Sequence, residues 1–366
     1  MSGINQLLAS IGSKPVGTSW AMGAELTLLG ASTFSGSMRV RGLTSSTAIA
    51  VYLDASYNLR AVILTVTGGV VTAGTPVLVA STVYSNQVSL AVLDSGKVVI
   101  FFGNSTPILT CAALTVAGTV ITVNSAVNVS AGNYTYVSAV PLSATQALVL
   151  YTDAGSSLAT MNVVTVTGVV CSVGATYGTG NASNGSCVMT LLSPTTALIL
   201  ISNGSDLKGS VATVSGTTVS ISTVYSSGAG SGISCASANT TGAGQILAGI
   251  IYTPGLPSSA TAYVLAISVS GTVVTFGSIL QLNATASRNE SLVCPVAANL
   301  FFTWNQDSGD SKFRIASVAG TAATLIGVED SNSFTSVGGE PATINGSTVV
   351  LLYSDGSALK TRVVKI

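Results

Sequence analysis

The residues that could do chemistry in this chain are few, and their types exclude the common hydrolytic mechanisms. The 366 residues include 12 Lys and Arg, 12 Asp and Glu, and no histidine. Without histidine, the chain lacks the base of Ser-His-Asp and Cys-His nucleophiles and the commonest ligand of zinc, copper and iron. We therefore expect no metal and no cofactor, and any catalysis would have to use carboxylates, lysine or tyrosine.

Two pairs of acidic residues are close enough in sequence for glycosidase chemistry. Asp307 and Asp310 flank a predicted turn, and Glu329 and Asp330 are adjacent. Glycosidases use two carboxyl groups that lie roughly 5 to 9 Å apart. Acidic side chains in turns more often cap the backbone. We therefore predict no catalytic residue and keep a glycosidase-type enzyme as an alternative.

Four aromatic residues are the candidate binding residues. Tyr177 stands in GATYGTGNASNGS, Tyr225 in STVYSSGAGSG, and Tyr252 opens YTPGLPSSATAY. Tyrosine among serine, glycine and asparagine makes an adaptable contact surface, and variable segments on a rigid scaffold are where recognition usually occurs. We predict partner contacts at Tyr177, Tyr225, Tyr252 and Trp304 and in the segments that follow Tyr225 and Tyr252. The alternative is that these Gly/Ser segments are flexible spacers.

The cysteines indicate neither a zinc site nor a disulfide framework, because their number is odd and no C-x-x-C spacing occurs. They are Cys111, Cys171, Cys187, Cys235 and Cys294. Most stand within apolar runs, so we expect small buried hydrophobic residues.

The elements that position these residues repeat along the chain. A run of Val, Thr and Ser is interrupted by one glycine, as in VVTVTGVVCSVG, and then resumes. The glycine recurs at Gly68, Gly118, Gly168, Gly216, Gly271 and Gly320. Glycine supplies the positive φ that a tight hairpin turn requires. Each glycine therefore predicts a hairpin between two strands, which we name c and d.

A second marker lies upstream of each glycine. It is an apolar strand, named b, that ends in an aromatic residue, one further residue, and Asp or Asn, as in LVLYTD. Asp and Asn open β-turns because their side chains accept a backbone hydrogen bond two residues on. The aromatic residues are Tyr52, Phe102, Tyr151, Tyr252, Trp304 and Tyr353, with Ile201 in one unit. We predict that these side chains pack between neighbouring repeats.

A further alternating run, named a, precedes each b strand, so one unit holds four short strands. Repeats of this size and strand number are typical of propeller blades. Strand b occurs seven times but the c–d glycine only six times, and residues 24–32 form an unassigned strand. We therefore predict an all-β fold, a seven-bladed β-propeller of four-stranded antiparallel blades. The N-terminal strand closes its last blade. Residues 24–366 would form the propeller and residues 1–23 an N-terminal tail or anchor segment.

The charge balance excludes some partners. Only 7% of the residues are charged and the formal net charge is zero. Phosphate binding needs a basic surface, so we expect no nucleic acid. No apolar run approaches the ~20 residues of a transmembrane helix, and no signal peptide is visible. A neutral, charge-poor surface favours association.

Two of the b–c turns resemble the Asp box S-x-D-x-G-x-x-W of sialidase-type propellers. YTDAGSSL carries Asp153 and Gly155, and NQDSGDSKF carries Asp307 and Gly309, but the final Trp is absent from both. The resemblance implies a structural turn, and we assign no sialidase activity.

The opening MSGINQLLASIG resembles the N-termini of tailed-bacteriophage virion proteins, and the histidine-free body rich in Thr, Val, Ala, Ser and Gly resembles tail-fibre or decoration modules. The resemblance implies a virion location, with other virion proteins bound by the N-terminal segment and a host cell-surface glycan or protein bound by the propeller. Our leading hypothesis is a non-enzymatic virion structural protein, an outward-facing fibre, spike or adhesin. The alternatives are a secreted or surface lectin-like carbohydrate-binding propeller and a glycosidase-type propeller enzyme.

Overall fold

The computed structural model describes most of the chain after residue 20. The described residues are 21–30, 37–83, 87–183, 186–203, 206–228, 233–241, 244–252, 261–282, 292–307, 310–332 and 338–366. Within these ranges the secondary structure is β-strand, and no helix occurs. The prediction of an all-β fold is confirmed.

The inner and second strands of each sheet correspond to the predicted strands a and b. Strands a are β3 (Met38–Gly42), β8 (Ser89–Asp94), the second half of β11 (Val120–Ser143), β16 (Cys187–Ser193), β21 (Ile233–Thr240), β25 (Leu292–Ala297) and β29 (Gly338–Asn345). Strands b are β4 (Thr47–Leu53), β9 (Lys97–Gly103), β12 (Gln146–Asp153), β17 (Thr196–Ser202), β22 (Gln245–Tyr252), β26 (Leu300–Asp307) and β30 (Thr348–Ser354).

The third and outer strands correspond to c and d. Strands c are β5 (Leu59–Thr67), β10 (Ile108–Ala117), β13 (Leu158–Thr167), β18 (Leu207–Ser215), β23 (Thr261–Ser270), β27 (Asp310–Ala319) and β31 (Leu359–Lys365). Strands d are β6 (Val70–Ala73) with β7 (Val77–Ala80), the first half of β11, β14 (Val170–Val173) with β15 (Tyr177–Ala182), β19 (Thr218–Ile221) with β20 (Tyr225–Ser226), β24 (Val273–Gln281) and β28 (Ala322–Asn332). The last blade takes β1 (Ala21–Met22) and β2 (Leu26–Leu29) in this place.

Pairing within each sheet is antiparallel, in the order a, b, c, d. Strand β11 is long because it first pairs with β10 as an outer strand and then with β12 as the inner strand of the next sheet. The inner strands contact one another in chain order, and β29 contacts β3, so the sheets close into a ring. This is a β-propeller.

Each c–d hairpin turns on its predicted glycine. The two-residue turns place glycine first, with φ between 59° and 62° in all six. In blade two, for example, Ala117 pairs with Val120 across Gly118 and Thr119. In the first blade Gly69 also has positive φ, at 95°, which is the type I′ pattern, whereas the other five turns have positive φ at the first position only, as in type II′. The twist of both turn types matches that of the flanking strands.

The predicted b–c turns form as well. Asp54 Oδ1 accepts a hydrogen bond from Ser56 N, Asp153 Oδ1 from Gly155 N, and Asp355 Oδ1 from Ser357 N, at 2.7–2.9 Å. Asn104 makes the same bond to Thr106 N. The resemblance of the Asp153 turn to an Asp box is therefore explained by its role as a turn.

The core lies in the seams between blades. Phe102 packs in a cluster that joins the first two blades, and Tyr151 in the cluster that joins the next two. Trp304 and Tyr353 share one cluster, where their rings meet edge to face with centroids 6.3 Å apart. Aromatic pairs of this geometry add to the burial term. The predicted seam position of these side chains is confirmed.

Four of the cysteines are buried and free, as predicted: Cys111, Cys171, Cys187 and Cys294. Burial raises the pKa of the Cys187 and Cys294 thiols to about 12. Both therefore stay protonated near neutral pH and pack as apolar side chains.

The N-terminal strand completes the last blade, which confirms the predicted closure. Leu26 and Thr27 of β2 pair with Thr361 and Lys360 of β31. Strand β1 also pairs with β31. Ala21 and Met22 of the predicted tail of residues 1–23 thus take part in sheet pairing, and residues 1–20 lie outside the described part.

Candidate functional site

A central channel runs between the inner strands and has a volume of about 550 Å³. Each inner strand of the described part of the chain contributes to its wall. Ligand cavities in proteins typically measure about 300–1,000 Å³, so a small molecule can enter a space of this size. We take this channel as the candidate functional site.

Serine side chains tie several inner strands to the next strand around the channel. Ser89 Oγ accepts a hydrogen bond from Ala139 N at 3.0 Å, and Ser138 Oγ accepts one from Met189 N at 3.0 Å. Such a bond satisfies a backbone donor that has no partner within its own sheet. The inner wall is thereby held in a fixed arrangement.

The link between the last blade and the first uses a carboxylate instead of a serine. Glu340 Oε2 accepts from Val40 N, and Glu340 Oε1 accepts from Arg41 Nη1, both at 2.6 Å. The Glu340 side chain is 14% exposed and that of Arg41 38%. Glu340 therefore holds strand β3 by a charge-assisted pair of bonds.

Arg39 also lines the channel, two residues before Arg41 on the same strand. Alternation along a strand sends both side chains to one face, while Val40 between them is fully buried. Arg39 Nη1 donates to its neighbouring carbonyl, Met38 O, at 2.8 Å. Within the described residues no carboxylate lies at ion-pair distance from it.

The rest of the wall combines hydroxyl and amide groups with apolar side chains. Thr190 and Asn239 line the channel, as do Leu191 and Val92. Thr241, which is 5% exposed, has a hydroxyl with no hydrogen-bond partner. Polar groups among apolar surface suit a ligand that carries both hydroxyl groups and C–H faces.

Tyr177 and Tyr225 do not reach the channel. Tyr177 begins β15 and pairs in register with Met161, and Tyr225 begins β20 and pairs with Gly209. Both side chains are half-buried on the outer strands of neighbouring blades, each against the core of a seam. The two tyrosines occupy equivalent positions in neighbouring blades. The alternating sequence pattern did not predict this equivalence. Their predicted binding role stays a prediction.

Tyr252 and Trp304 both lie on the second strands of their sheets. Tyr252 is the last residue of β22, and the segment 253–260 that follows it lies outside the described residues, as does 229–232 after Tyr225. Trp304 is 2% exposed and belongs to the seam core. Its ring packs inside the seam, and the partner contact predicted at Trp304 stays a prediction.

The two acidic pairs lie on strands outside the inner ring. Asp307 and Asp310 face each other in register across the β26–β27 turn, and Glu329 and Asp330 lie on the outer strand β28. In the part of the chain that the structure describes, no group of three or more His, Cys, Asp or Glu could hold a metal ion, and no helix is long and apolar enough to cross a membrane.

The channel arginines are the site residues that sequence reasoning missed. The run MRVRG on strand a carries two arginines at period two, which places both on one face. The sequence alone therefore indicated that the two arginines share a face. The partner Glu340 was not predictable, because it lies 299 residues away in sequence and only ring closure brings it to Arg41.

No family model and no curated protein matches the chain, so the resemblance to phage virion proteins stays a prediction. Solved structures are similar in fold. A lectin from Burkholderia pseudomallei superposes with a TM-score of 0.67 at 12% identity, covering 91% of this chain and 97% of the lectin.

Two further solved structures are also similar to this chain in fold. The WD40 domain of Toxoplasma gondii coronin has a TM-score of 0.60 at 7% identity, covering 94% of this chain and 85% of that one. The Aleuria aurantia lectin in complex with Fucα1-6GlcNAc has a TM-score of 0.52 at 12% identity, covering 82% and 97%. These similarities establish the β-propeller fold. At such identities they establish no more than the fold.

Proposed function

We propose that this protein is a non-enzymatic, lectin-like propeller that binds carbohydrate in its central channel. The observation that carries the proposal is the channel wall, where hydroxyl, amide and guanidinium groups stand beside apolar side chains in a space of about 550 Å³. The hydroxyl groups of a sugar can hydrogen-bond to these polar groups, and its C–H faces can pack on the apolar side chains. The fold shared with two lectins supports this choice over our leading virion hypothesis.

The composition argues against an enzyme at this site. Glu340 is the carboxylate among the described lining residues, and both of its oxygens are engaged by Val40 N and Arg41. Glycoside hydrolysis needs two carboxyl groups across the scissile bond. Binding without cleavage is therefore the function that we assign.

A glycan array followed by calorimetric titration tests the proposal. Val92→Phe adds a ring to the channel wall, and Val70→Phe makes the same change on an outer strand where the valine is 52% exposed. We expect the first variant to weaken glycan binding by at least tenfold and the second to leave it unchanged. An array on which the protein binds no glycan would refute the proposal.

Tyr177→Ala and Tyr225→Ala serve as the competing variants. If the channel is the site, both should bind glycan as the parent does, because these tyrosines lie on the outer strands. Loss of binding in these variants, with Val92→Phe unchanged, would instead place recognition at the outer seams.

We keep the virion location as a second proposal, supported by the N-terminal resemblance of residues 1–12. A lectin-like propeller on a phage particle would attach it to a host surface glycan, so the two proposals are compatible. Mass spectrometry of purified particles tests it, and absence of the protein from virions would exclude this location while leaving the carbohydrate proposal in place.

A further inference from the structure

Arg39 occupies a position that elsewhere in the ring serves to hold neighbouring strands together. Arg39 pairs with Val51, Ser89 with Phe101, Ser138 with Leu150, and Glu340 with Leu352, so these four residues are equivalent in register. The two serines and Glu340 each accept a hydrogen bond from a backbone amide of the next inner strand. A guanidinium has five donors and no acceptor, so Arg39 cannot make this bond.

The charge of Arg39 is also left without a counter-charge in the described structure. Arg41 is paired with Glu340, whereas the polar contact of the Arg39 guanidinium is the carbonyl of Met38. The charged residues of the described channel wall are two arginines and one glutamate, which leaves one net positive charge. Partial enclosure by apolar walls strengthens the attraction of this charge for an anion.

We propose that the channel selects an acidic sugar, whose carboxylate binds the Arg39 guanidinium. The fork of N–H groups on arginine matches the two oxygens of a carboxylate, which a neutral sugar lacks. The inference rests on the proposed function, because it specifies the class of carbohydrate bound at the same site. Arg39 is then a specificity-determining residue that the ring itself does not need.

Titration with two sugars that differ in one group tests the inference. Methyl β-D-glucuronide carries a carboxylate where methyl β-D-glucoside carries a hydroxymethyl group. We expect the parent protein to bind the glucuronide about tenfold more tightly, which corresponds to ~1.4 kcal/mol. Arg39→Gln should remove this preference, so that the variant binds the two sugars with equal affinity. Lys208→Gln removes a positive charge that does not line the channel and should change neither affinity.

Arg39→Lys keeps the charge but not the fork, and we expect an intermediate preference. This variant also decides the matter if Arg39→Gln fails to fold. Equal affinity of the parent for both sugars, or a glucuronide preference retained in Arg39→Gln, would overturn the inference and leave the carbohydrate proposal standing. Binding of neither sugar, together with an empty glycan array, would overturn both.

Discussion

The Glu25 side chain links the N-terminal strand to three residues of the last blade. Its Oε2 accepts hydrogen bonds from the Tyr353 hydroxyl at 2.5 Å and from Arg362 Nη2 at 3.0 Å. Lys360 Nζ lies 2.9 Å from Oε1 and also pairs with Asp355. The contacts of Glu25 itself span more than 300 residues of sequence, so they act on ring closure.

Glu25→Gln should destabilise the protein by about 1–2 kcal/mol, because it removes the charge that strengthens these hydrogen bonds. Urea denaturation measures this loss. Asp94→Asn is the matched control, since Asp94 is exposed and its carboxylate accepts a local bond from Gly96 N; it should change stability by less than about 0.5 kcal/mol. A loss no larger in Glu25→Gln than in the control would contradict the assigned role.

The same cluster predicts how stability depends on pH. Burial raises the pKa of the Glu25 carboxyl, but the bonds from Tyr353 and Lys360 and the charge of Arg362 outweigh it, so the pKa lies below its usual 4.5. The bond from Lys360 holds the pKa of Asp355 below its usual 3.8, despite an opposing effect of burial. Carboxyl groups with lowered pKa stabilise the folded state above their unfolded pKa and lose this contribution as the pH falls through the folded pKa.

Stability should therefore fall as the pH drops below about 4.5, and should stay nearly constant from pH 6 to 8 because the chain has no histidine. Denaturation curves across this range measure it. The decline should be shallower in Glu25→Gln, and an equal decline in parent and variant would show that Glu25 does not contribute to it.

Among the strands, the contact between a hairpin turn and the outer strand of the preceding blade recurs around the ring. The residue after the turn glycine lies against a glycine of that strand or of the break within it: Thr321 lies against Gly277 of β24, and Thr119 against Gly74 between β6 and β7. Ser278 N also donates to Thr321 O at 2.8 Å. Glycine at these positions lets the two backbones approach closely.

Gly277→Ala should destabilise the protein by about 1–3 kcal/mol, since a Cβ at this position would lie 1.8 Å from Thr321 O. Gly178→Ala is the control on another outer strand, where an added Cβ meets nothing within 4 Å. Its stability should equal that of the parent or exceed it slightly. Thermal melting of the two variants measures the contrast, and equal melting temperatures would show that the seam adjusts without cost.

The strands show which parts of the fold can be predicted from sequence. Gly168 and Asp153 were predictable because the signal and the structure are both local: positive φ at one residue, a side-chain bond two residues away. The division of outer strands into two pieces, as in β14 and β15, was not predicted. The continuous strand β11 was not predicted either. The sequence of a d–a connection does not show whether its residues form a loop or continue to pair as a strand.

The channel was harder to predict than the ring that encloses it. Counting strands b against turn glycines predicted that residues 24–32 would complete the last blade, and the pairing of β2 with β31 confirms it. The ion pair of Arg41 with Glu340 follows only once the ring is closed. Sequence periodicity thus predicts the repeating unit. The site depends on side chains that differ from those at the equivalent positions of the other blades, and periodicity does not predict these.

The molecule as a whole depends on closure by its N-terminal strand. Deletion of residues 1–35 removes β1 and β2 and with them Glu25. Strand β31 then presents unpaired N–H and C=O groups, which are a template for association with another chain. Leu26, Leu28 and Leu29 also leave the core cluster that joins the last and first blades. We expect loss of several kcal/mol in stability and aggregation at micromolar concentration.

Deletion of residues 1–15 is the matched truncation, because every described contact of β1 and β2 remains. We expect this truncation to have the melting temperature of the full chain and to stay monodisperse in size-exclusion chromatography with light scattering. Adding a synthetic peptide of residues 20–32 to the longer truncation should restore part of the lost melting temperature, since the open edge of β31 can pair with it. Equal stability and solution behaviour of the two truncations would show that the ring holds without its N-terminal strand, and that the seam contacts of the other blades suffice.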